Sequence, residues 1–246
     1  MLLRSISGSV RGAGDLQRLE FSHAEMTDTH ISAWISTADD AAAGGDWCEA
    51  ITVSEEVVAL TVGDVAGHGG GVRHIMEATR DALIGAIEAT TEPAAVLQIA
   101  NKAAVRFFEG DGVIVTAIVA FLNHRTHTLT FANAGHPPPL MMTHDRASYL
   151  SQRPADLPLG IYGYHHAASY VVALPLDAVV LFYTDGITEH DRDPIRGEIE
   201  LAEAARLTYD RPAIDLAHAV AEQVFARGRG SDDAAILALR SVPARL

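Results

Sequence analysis

The sequence predicts an α+β protein in which two mainly antiparallel sheets pack face to face with helices on the outside. Three observations predict it. Short β-type segments recur at hairpin spacing along most of the chain. Two long helical segments interrupt them after the first strands. One or more further helices and one last strand close the chain. With 246 residues, 48% of them apolar, the chain can fill the core of one large domain. We place that domain at residues 29–242. The lead, residues 1–28, holds Gly8, Gly12 and Gly14 among scattered charges. It reads either as a flexible lead or as a short helix packed on the body.

Residues 31–37 alternate well enough for a strand, and 38–45 form a small-residue loop. Residues 50–53 and 57–62 make a hairpin around the charged turn Ser54-Glu55-Glu56, and the second strand runs straight into Gly63-Asp64. Residues 72–88 form an amphipathic helix, with Val72, Ile75, Met76, Thr79, Leu83, Ala86 and Ile87 near one face. The next helix starts with Thr91 as N-cap and Pro93 in its first turn, and Glu109-Gly110-Asp111-Gly112 breaks it. An apolar strand at 113–122 turns at 123–126 and returns at 128–132. Asn133-Ala134-Gly135-His136-Pro137-Pro138-Pro139 is a rigid turn, since its prolines fix φ and donate nothing. Short strands follow at 140–142 and 148–150. Residues 168–174 and 178–183 read as a pair, 214–226 as a helix and 234–239 as the final strand.

Charge narrows the function. Acidic residues outnumber basic ones 32 to 18, for a net charge of −14. That argues against nucleic acid and against anionic membrane surfaces, both of which select basic proteins. Cys48 is the one cysteine, so neither an intramolecular disulfide nor a Cys-rich zinc site can form. Residues 1–14 lack an apolar run of signal-peptide length, and no stretch reaches transmembrane length. We therefore expect a cytoplasmic protein with no membrane insertion.

Four acidic segments carry the chemistry: Gly44-Gly45-Asp46, Gly63-Asp64-Val65-Ala66-Gly67-His68-Gly69, Thr184-Asp185-Gly186-Ile187-Thr188-Glu189 and Ser231-Asp232-Asp233. Each alone also reads as an aspartate in an ordinary turn. Four such sites, Gly-associated and far apart in sequence, are better explained by carboxylates aimed from sheet ends at one point. Converging carboxylates repel one another and need a cation. Oxygen ligands without obligatory Cys or His select Mg²⁺ or Mn²⁺. Glu49 and Glu189 flank two of the segments and also read as solvated surface acids. His68 and His136 are candidate proton donors by residue type, and each also reads as an ordinary loop or turn histidine. The His165-His166 pair, His124 and His127 read as surface residues. No Gly-x-Ser-x-Gly elbow or His-Glu-x-x-His helix is present.

In this arrangement the chain resembles the metal-dependent protein phosphatases (PPM, type 2C-like), in particular their SpoIIE-like bacterial branch. The matching segments are Gly44-Gly45-Asp46-Trp47, Val62-Gly63-Asp64-Val65-Ala66-Gly67-His68-Gly69, Ala132-Asn133-Ala134-Gly135-His136-Pro137-Pro138, Leu157-Pro158-Leu159-Gly160-Ile161, Phe182-Tyr183-Thr184-Asp185-Gly186-Ile187-Thr188-Glu189 and Asp232-Asp233-Ala234-Ala235-Ile236-Leu237. They occur in the family's order. The resemblance implies a four-layer α/β/β/α sandwich with two divalent ions, Mn²⁺ or Mg²⁺, at one end of the sheets. By motif position Asp64 would bridge both ions, and Asp185 and Asp232 would complete the first ion's shell. Asp46 and the Val65 carbonyl would serve the second. Asp233 is left as an accessory residue, with His68, Glu49 and His136. The chain departs from the family's pattern at Cys48 and Glu49, and at Gly69-Gly70-Gly71 before the first helix. None of the four metal aspartates is replaced.

The implied function is a serine/threonine phosphatase acting by metal-activated water on a bacterial signalling phosphoprotein of the anti-sigma-factor antagonist type, within partner switching. Two alternatives stay open: a catalytically silent, phosphatase-like sensor module, and a hydrolase of small phosphorylated metabolites. Control is expected from a separate regulatory protein, from homodimerisation, or from order in the helix pair of residues 72–108.

Overall fold

The computed structural model describes residues 4–6, 17–21, 29–37, 44–67, 70–107, 113–150, 156–161, 168–189, 193–228 and 232–242. In chain order the elements are β1 (Arg4–Ile6), β2 (Gln17–Phe21), β3 (Thr29–Ser36), β4 (Trp47–Thr52), β5 (Val57–Val65), α1 (Gly70–Ala89), α2 (Pro93–Phe107), β6 (Val115–Asn123), β7 (Thr128–Ala134), β8 (Leu140–Met142), β9 (Ala147–Tyr149), β10 (Tyr170–Ala173), β11 (Val179–Tyr183), α3 (Pro194–Thr208), α4 (Leu216–Val224) and β12 (Ala234–Ser241). One sheet runs β1-β4-β5-β6-β7-β10 and the other β2-β3-β12-β11-β8-β9. Every strand pairing is antiparallel.

Strand alternation sorts the side chains into layers. Val58, Leu60 and Val62 of β5 fill the seam between the sheets, with Ile118, Phe182 and Leu237. Ala59 and Val65, of opposite parity, pack under the first helix pair with Leu83, Ile87, Val96 and Leu97. On the far side Val179, Leu181 and Tyr183 of β11 lie with Leu201 of α3 and Val220 of α4. The result is the expected α/β/β/α order. Each large aliphatic or aromatic side chain fully buried in these layers stabilises the fold by roughly 1.5–3 kcal/mol.

Several elements differ from the sequence reading. Strand β5 extends through Asp64 to Val65, so Asp64 lies inside the ladder opposite Thr116 rather than beyond the strand's end. Strands β10 and β11 are not partners: β10 pairs with β7, whereas β11 pairs with β8 and β12. The connection Pro175-Leu176-Asp177 switches sheets instead, with Asp177 at φ +65°. In the lead, the described residues form β1 on β4 and β2 on β3, so there they are strands, not helix. Helix α3 had no clear periodic signal, because Ile195, Ile199 and Leu207 are exposed on it and Gly197 interrupts it. That glycine is required: a Cβ there would stand 1.8 Å from the Thr188 carbonyl oxygen. Helix α2 starts at Pro93, later than a Thr91 cap implies. Its Ala94 N–H is capped from far away by Ser169 Oγ, at 3.1 Å.

Arg240 of β12 locks the sheet-switching turn. Its Nε donates to Asp177 Oδ1 at 2.8 Å, its Nη1 donates to the Tyr209 carbonyl at 2.8 Å, and its guanidinium lies 4.9 Å from the Tyr209 ring centre. Replacing Arg240 by Ala is expected to cost roughly 2 kcal/mol in urea unfolding, since charge-assisted bonds at a half-buried site are lost together. Lys at this position should recover less than half, because it lacks the planar fork.

Candidate metal centre

Strand parity delivers the acids to one end of the seam. Asp64 shares the parity of Val58, Leu60 and Val62, which face the second sheet. Asp46, just before β4, shares that of Cys48 and Ala50, also in the seam. From the second sheet come Asp185, opening the single 3-10 turn Asp185–Ile187 after β11, and Asp232-Asp233, just before β12. Asp46, Asp64, Asp185 and Asp232 thus lie at the same end of the two sheets, and the charges of Asp64 and Asp232 both act on Asp185.

Asp46 is buried, hydrogen-bonded to Asp64, and accepts a hydrogen bond from Thr184 Oγ1 at 2.7 Å on Oδ2. Burial pushes its carboxyl well above the usual range, and the Asp64 charge adds to that. Burial also raises Asp64, with Asp232 and Asp233 pushing the same way, while the Asp46 bond and the Val65 N–H oppose them. Asp185 is pushed up to about 6, first by burial and then by Asp64, Glu189 and Asp232; the Gly186 N–H opposes the rise. Glu189 itself is exposed beside the cluster.

The Val65 carbonyl looks onto the same space. A Cβ on Gly45 would stand 2.8 Å from the Val65 carbonyl oxygen and 3.2 Å from Asp64 Oδ1. The missing side chain of Gly45 therefore keeps a carbonyl and a carboxylate oxygen open beside each other. Asp233 Oδ2 accepts the Gly45 N–H at 2.8 Å, while the exposed Asp232 accepts the Asp233 N–H at 2.9 Å.

Glu49 lies away from this space, while His136 is buried against Thr116, the cross-strand partner of Asp64. Glu49 has the parity of Trp47, so it points under α1, where its Oε1 is 3.7 Å from Arg80 Nε. Burial raises its carboxyl and the Arg80 charge opposes that. His136 is a core residue and no cleft acid. Its Nδ1 shares a hydrogen bond of 2.9 Å with Thr116 Oγ1, and its backbone is held by the side chain of Asn133. Burial drops its pKa to about 3, so it stays neutral at physiological pH. His68 lies outside the described residues. Thr184, in contrast, was quoted in the sequence only as part of a motif, and it contacts Asp46 directly. Its signal in the sequence is a hydroxyl directly after an apolar strand and directly before an acid.

Residues 54–242 match the family profile of Stage II sporulation protein E (SpoIIE). The chain belongs to the SpoIIE family. Its fold is similar to the RsbU and RsbW domains of Rv1364c from Mycobacterium tuberculosis, with TM-score 0.78 and 29% identity over 90% of this chain and 63% of that one. It is also similar to the PP2C phosphatase domain of SpoIIE from Bacillus subtilis, with its regulatory fragment, at TM-score 0.75 and 14% identity over 87% and 62%. The catalytic domain of the serine/threonine protein phosphatase PstP, in complex with two manganese ions, matches at TM-score 0.64 and 15% identity over 87% and 99%. This SpoIIE-family chain spans under two thirds of the length of the first two. Among the described residues no helix is long and apolar enough to cross a membrane.

The donor set of the SpoIIE-family chain fits hard divalent cations. It is made of carboxylate and carbonyl oxygens, and the acids stand too close together to be charged at low cost without a counter-ion. Among the described residues no three acidic, histidine or cysteine side chains yet close on one point.

Proposed function

We propose that this SpoIIE-family chain is a Mn²⁺- or Mg²⁺-dependent protein serine/threonine phosphatase. What supports this reading is the placement of Asp46, Asp64, Asp185 and Asp232 at the same end of the two sheets, with three of the four pushed toward protonation. In this reading Asp46, Asp64, Asp185, Asp232 and the Val65 carbonyl would hold the ions, with Asp64 shared between them, Asp185 and Asp232 serving one and Asp46 with the Val65 carbonyl the other. When bound, the ions lower the pKa of a water molecule and offset phosphoryl charge. The chain itself supplies fixed oxygens. The raised carboxyls would release their protons to solvent as an ion binds, while the Val65 N–H keeps Asp64 oriented and the Gly186 N–H does the same for Asp185. Glu49 and His136 act as packing groups.

A phosphoserine or phosphothreonine on an anti-sigma-factor antagonist is the substrate we propose, with a separate regulatory protein or a second copy of the chain as the means of control. The SpoIIE family membership and the likeness to a chain carrying an RsbU domain support this. The test is hydrolysis of p-nitrophenyl phosphate, phosphoserine peptides and sugar phosphates with Mn²⁺ or with EDTA. We expect turnover only with the metal, and phosphopeptides preferred over sugar phosphates. A preference for sugar phosphates would favour a metabolite hydrolase; Mn²⁺ uptake without any turnover would favour a silent sensor.

A further inference from the structure

We propose that Thr184 and Asp233 form a two-point clamp that positions Asp46 from the opposite sheet. Asp46 belongs to the first sheet's entry segment, residues 44–46. Both holding groups belong to the second sheet.

The first point is a hydroxyl whose polarity is fixed. Thr184 is wholly buried. Its backbone N–H donates to the Ala235 carbonyl at 3.1 Å, and the Ala235 N–H donates back to Thr184 Oγ1 at 2.8 Å. With Oγ1 accepting from Ala235, its own proton is directed to Asp46 Oδ2, 2.7 Å away. The hydroxyl thus ties the ends of β11 and β12 to one chosen oxygen of Asp46.

The second point grips the backbone next to that side chain. Asp233 Oδ2 accepts the Gly45 N–H at 2.8 Å. The fit is tight: a Cβ on Gly44 would stand 1.9 Å from the same oxygen, and one on Gly186 would stand 1.9 Å from the Asp233 carbonyl oxygen. Gly44 and Gly186 let the entry segment, the Asp185 turn and the Asp233 strand end close on one another. Asp46 is therefore held by its side chain and by its preceding amide, from two different strand ends. Its position follows the spacing of the sheets, and Asp233 serves as a hydrogen-bond acceptor in this arrangement rather than as an ion ligand. The clamp rests on the metal reading above only for what Asp46 would hold.

The test uses Thr184→Val, Thr184→Ser, Asp233→Ala and Asp233→Asn in the full chain, with two readouts. Amide exchange at Gly45 and Ala235 in the metal-free protein reports the clamp itself. Calorimetric titration with Mn²⁺ reports its consequence. Thr184→Val and Asp233→Ala should each speed exchange at their partner amide by about tenfold or more. They should weaken Mn²⁺ binding by roughly 10–100-fold, as is usual when a group that orients a ligand is lost. Thr184→Ser and Asp233→Asn keep an acceptor oxygen and should return both readouts to within about threefold of the parent. Unchanged exchange in Thr184→Val and Asp233→Ala would overturn the clamp. So would an Asp233→Asn protein with parental exchange and the full Mn²⁺ loss of Asp233→Ala, because the charge of Asp233 would then matter and not its acceptor oxygen. Absence of Mn²⁺ uptake by the parent protein would sink the metal reading alone, and the exchange arm would still decide the clamp.

Discussion

Asp64→Asn lowers Mn²⁺-dependent hydrolysis of p-nitrophenyl phosphate by on the order of 10³-fold or more, and it raises the melting temperature of the metal-free protein. The two effects have one cause. Asp64 is the central acid of the seam, bonded to Asp46 and repelled by Asp232 and Asp233. With an ion present, that charge would serve as one of its ligands. Without one, it is an uncompensated cost. An Asn at this site removes the charge, and its amide can donate to Asp46, taking over the role of the shared proton. Relief of about 1 kcal/mol of repulsion would lift the melting temperature of a domain this size by roughly 2–4 °C. Asp185→Asn should show the same pair of signs with a smaller stability gain, since Asp185 is less enclosed. Turnover that survives in both variants removes the phosphatase reading. Loss of turnover accompanied by a large fall in melting temperature would instead mean that Asp64 is a structural residue.

The sequence made the chemistry more legible than the topology, for physical reasons. A carboxylate beside glycine at the end of an apolar strand costs stability unless something uses it, so Asp46, Asp64, Asp185 and Asp232 stood out. The apolar alternation of β5, β6 and β12 was equally plain, because each has one face in the seam and the other under a helix pair. Pairing was less legible. Strands β10 and β11 look like a hairpin, yet the turn at Asp177 sends them to different sheets, and the Arg240 lock that fixes this is 63 residues away. Helix α3 was hidden because its apolar residues lie on both its buried and its exposed sides. Glu49 and His136 needed parity and depth, which motif spacing does not carry: β4 turns Glu49 under α1, and Thr116 draws His136 into the core. Thr184 could be seen but not assigned, since its partner Asp46 lies 138 residues away.

The metal-free protein loses stability as pH rises from 4 to about 6, and Mn²⁺ reverses that trend. The sign follows from Asp185, whose folded-state pKa of about 6 lies above its ordinary 3.8. Between those values the unfolded chain has released the proton and the folded chain still holds it. Stability is then fully present below 3.8 and is lost as pH rises through 6. The gap corresponds to ~3 kcal/mol, and partial solvent exposure of the group reduces this to roughly 1–2 kcal/mol. The raised carboxyls of Asp46 and Asp64 act in the same direction. Ion binding requires the opposite protonation state, so each displaced proton should weaken the apparent Mn²⁺ affinity by about tenfold for every pH unit below the group's pKa. Melting curves in EDTA at pH 4, 5, 6 and 7, paired with Mn²⁺ titrations at pH 5, 6 and 7, measure both trends. Comparing the parent with Asp185→Asn isolates this group from every other titration. The variant should lose part of the pH dependence in both series. A Mn²⁺ affinity that is flat from pH 5 to 7 would mean that the ions bind without displacing these protons, and that the acids of the seam are not their ligands.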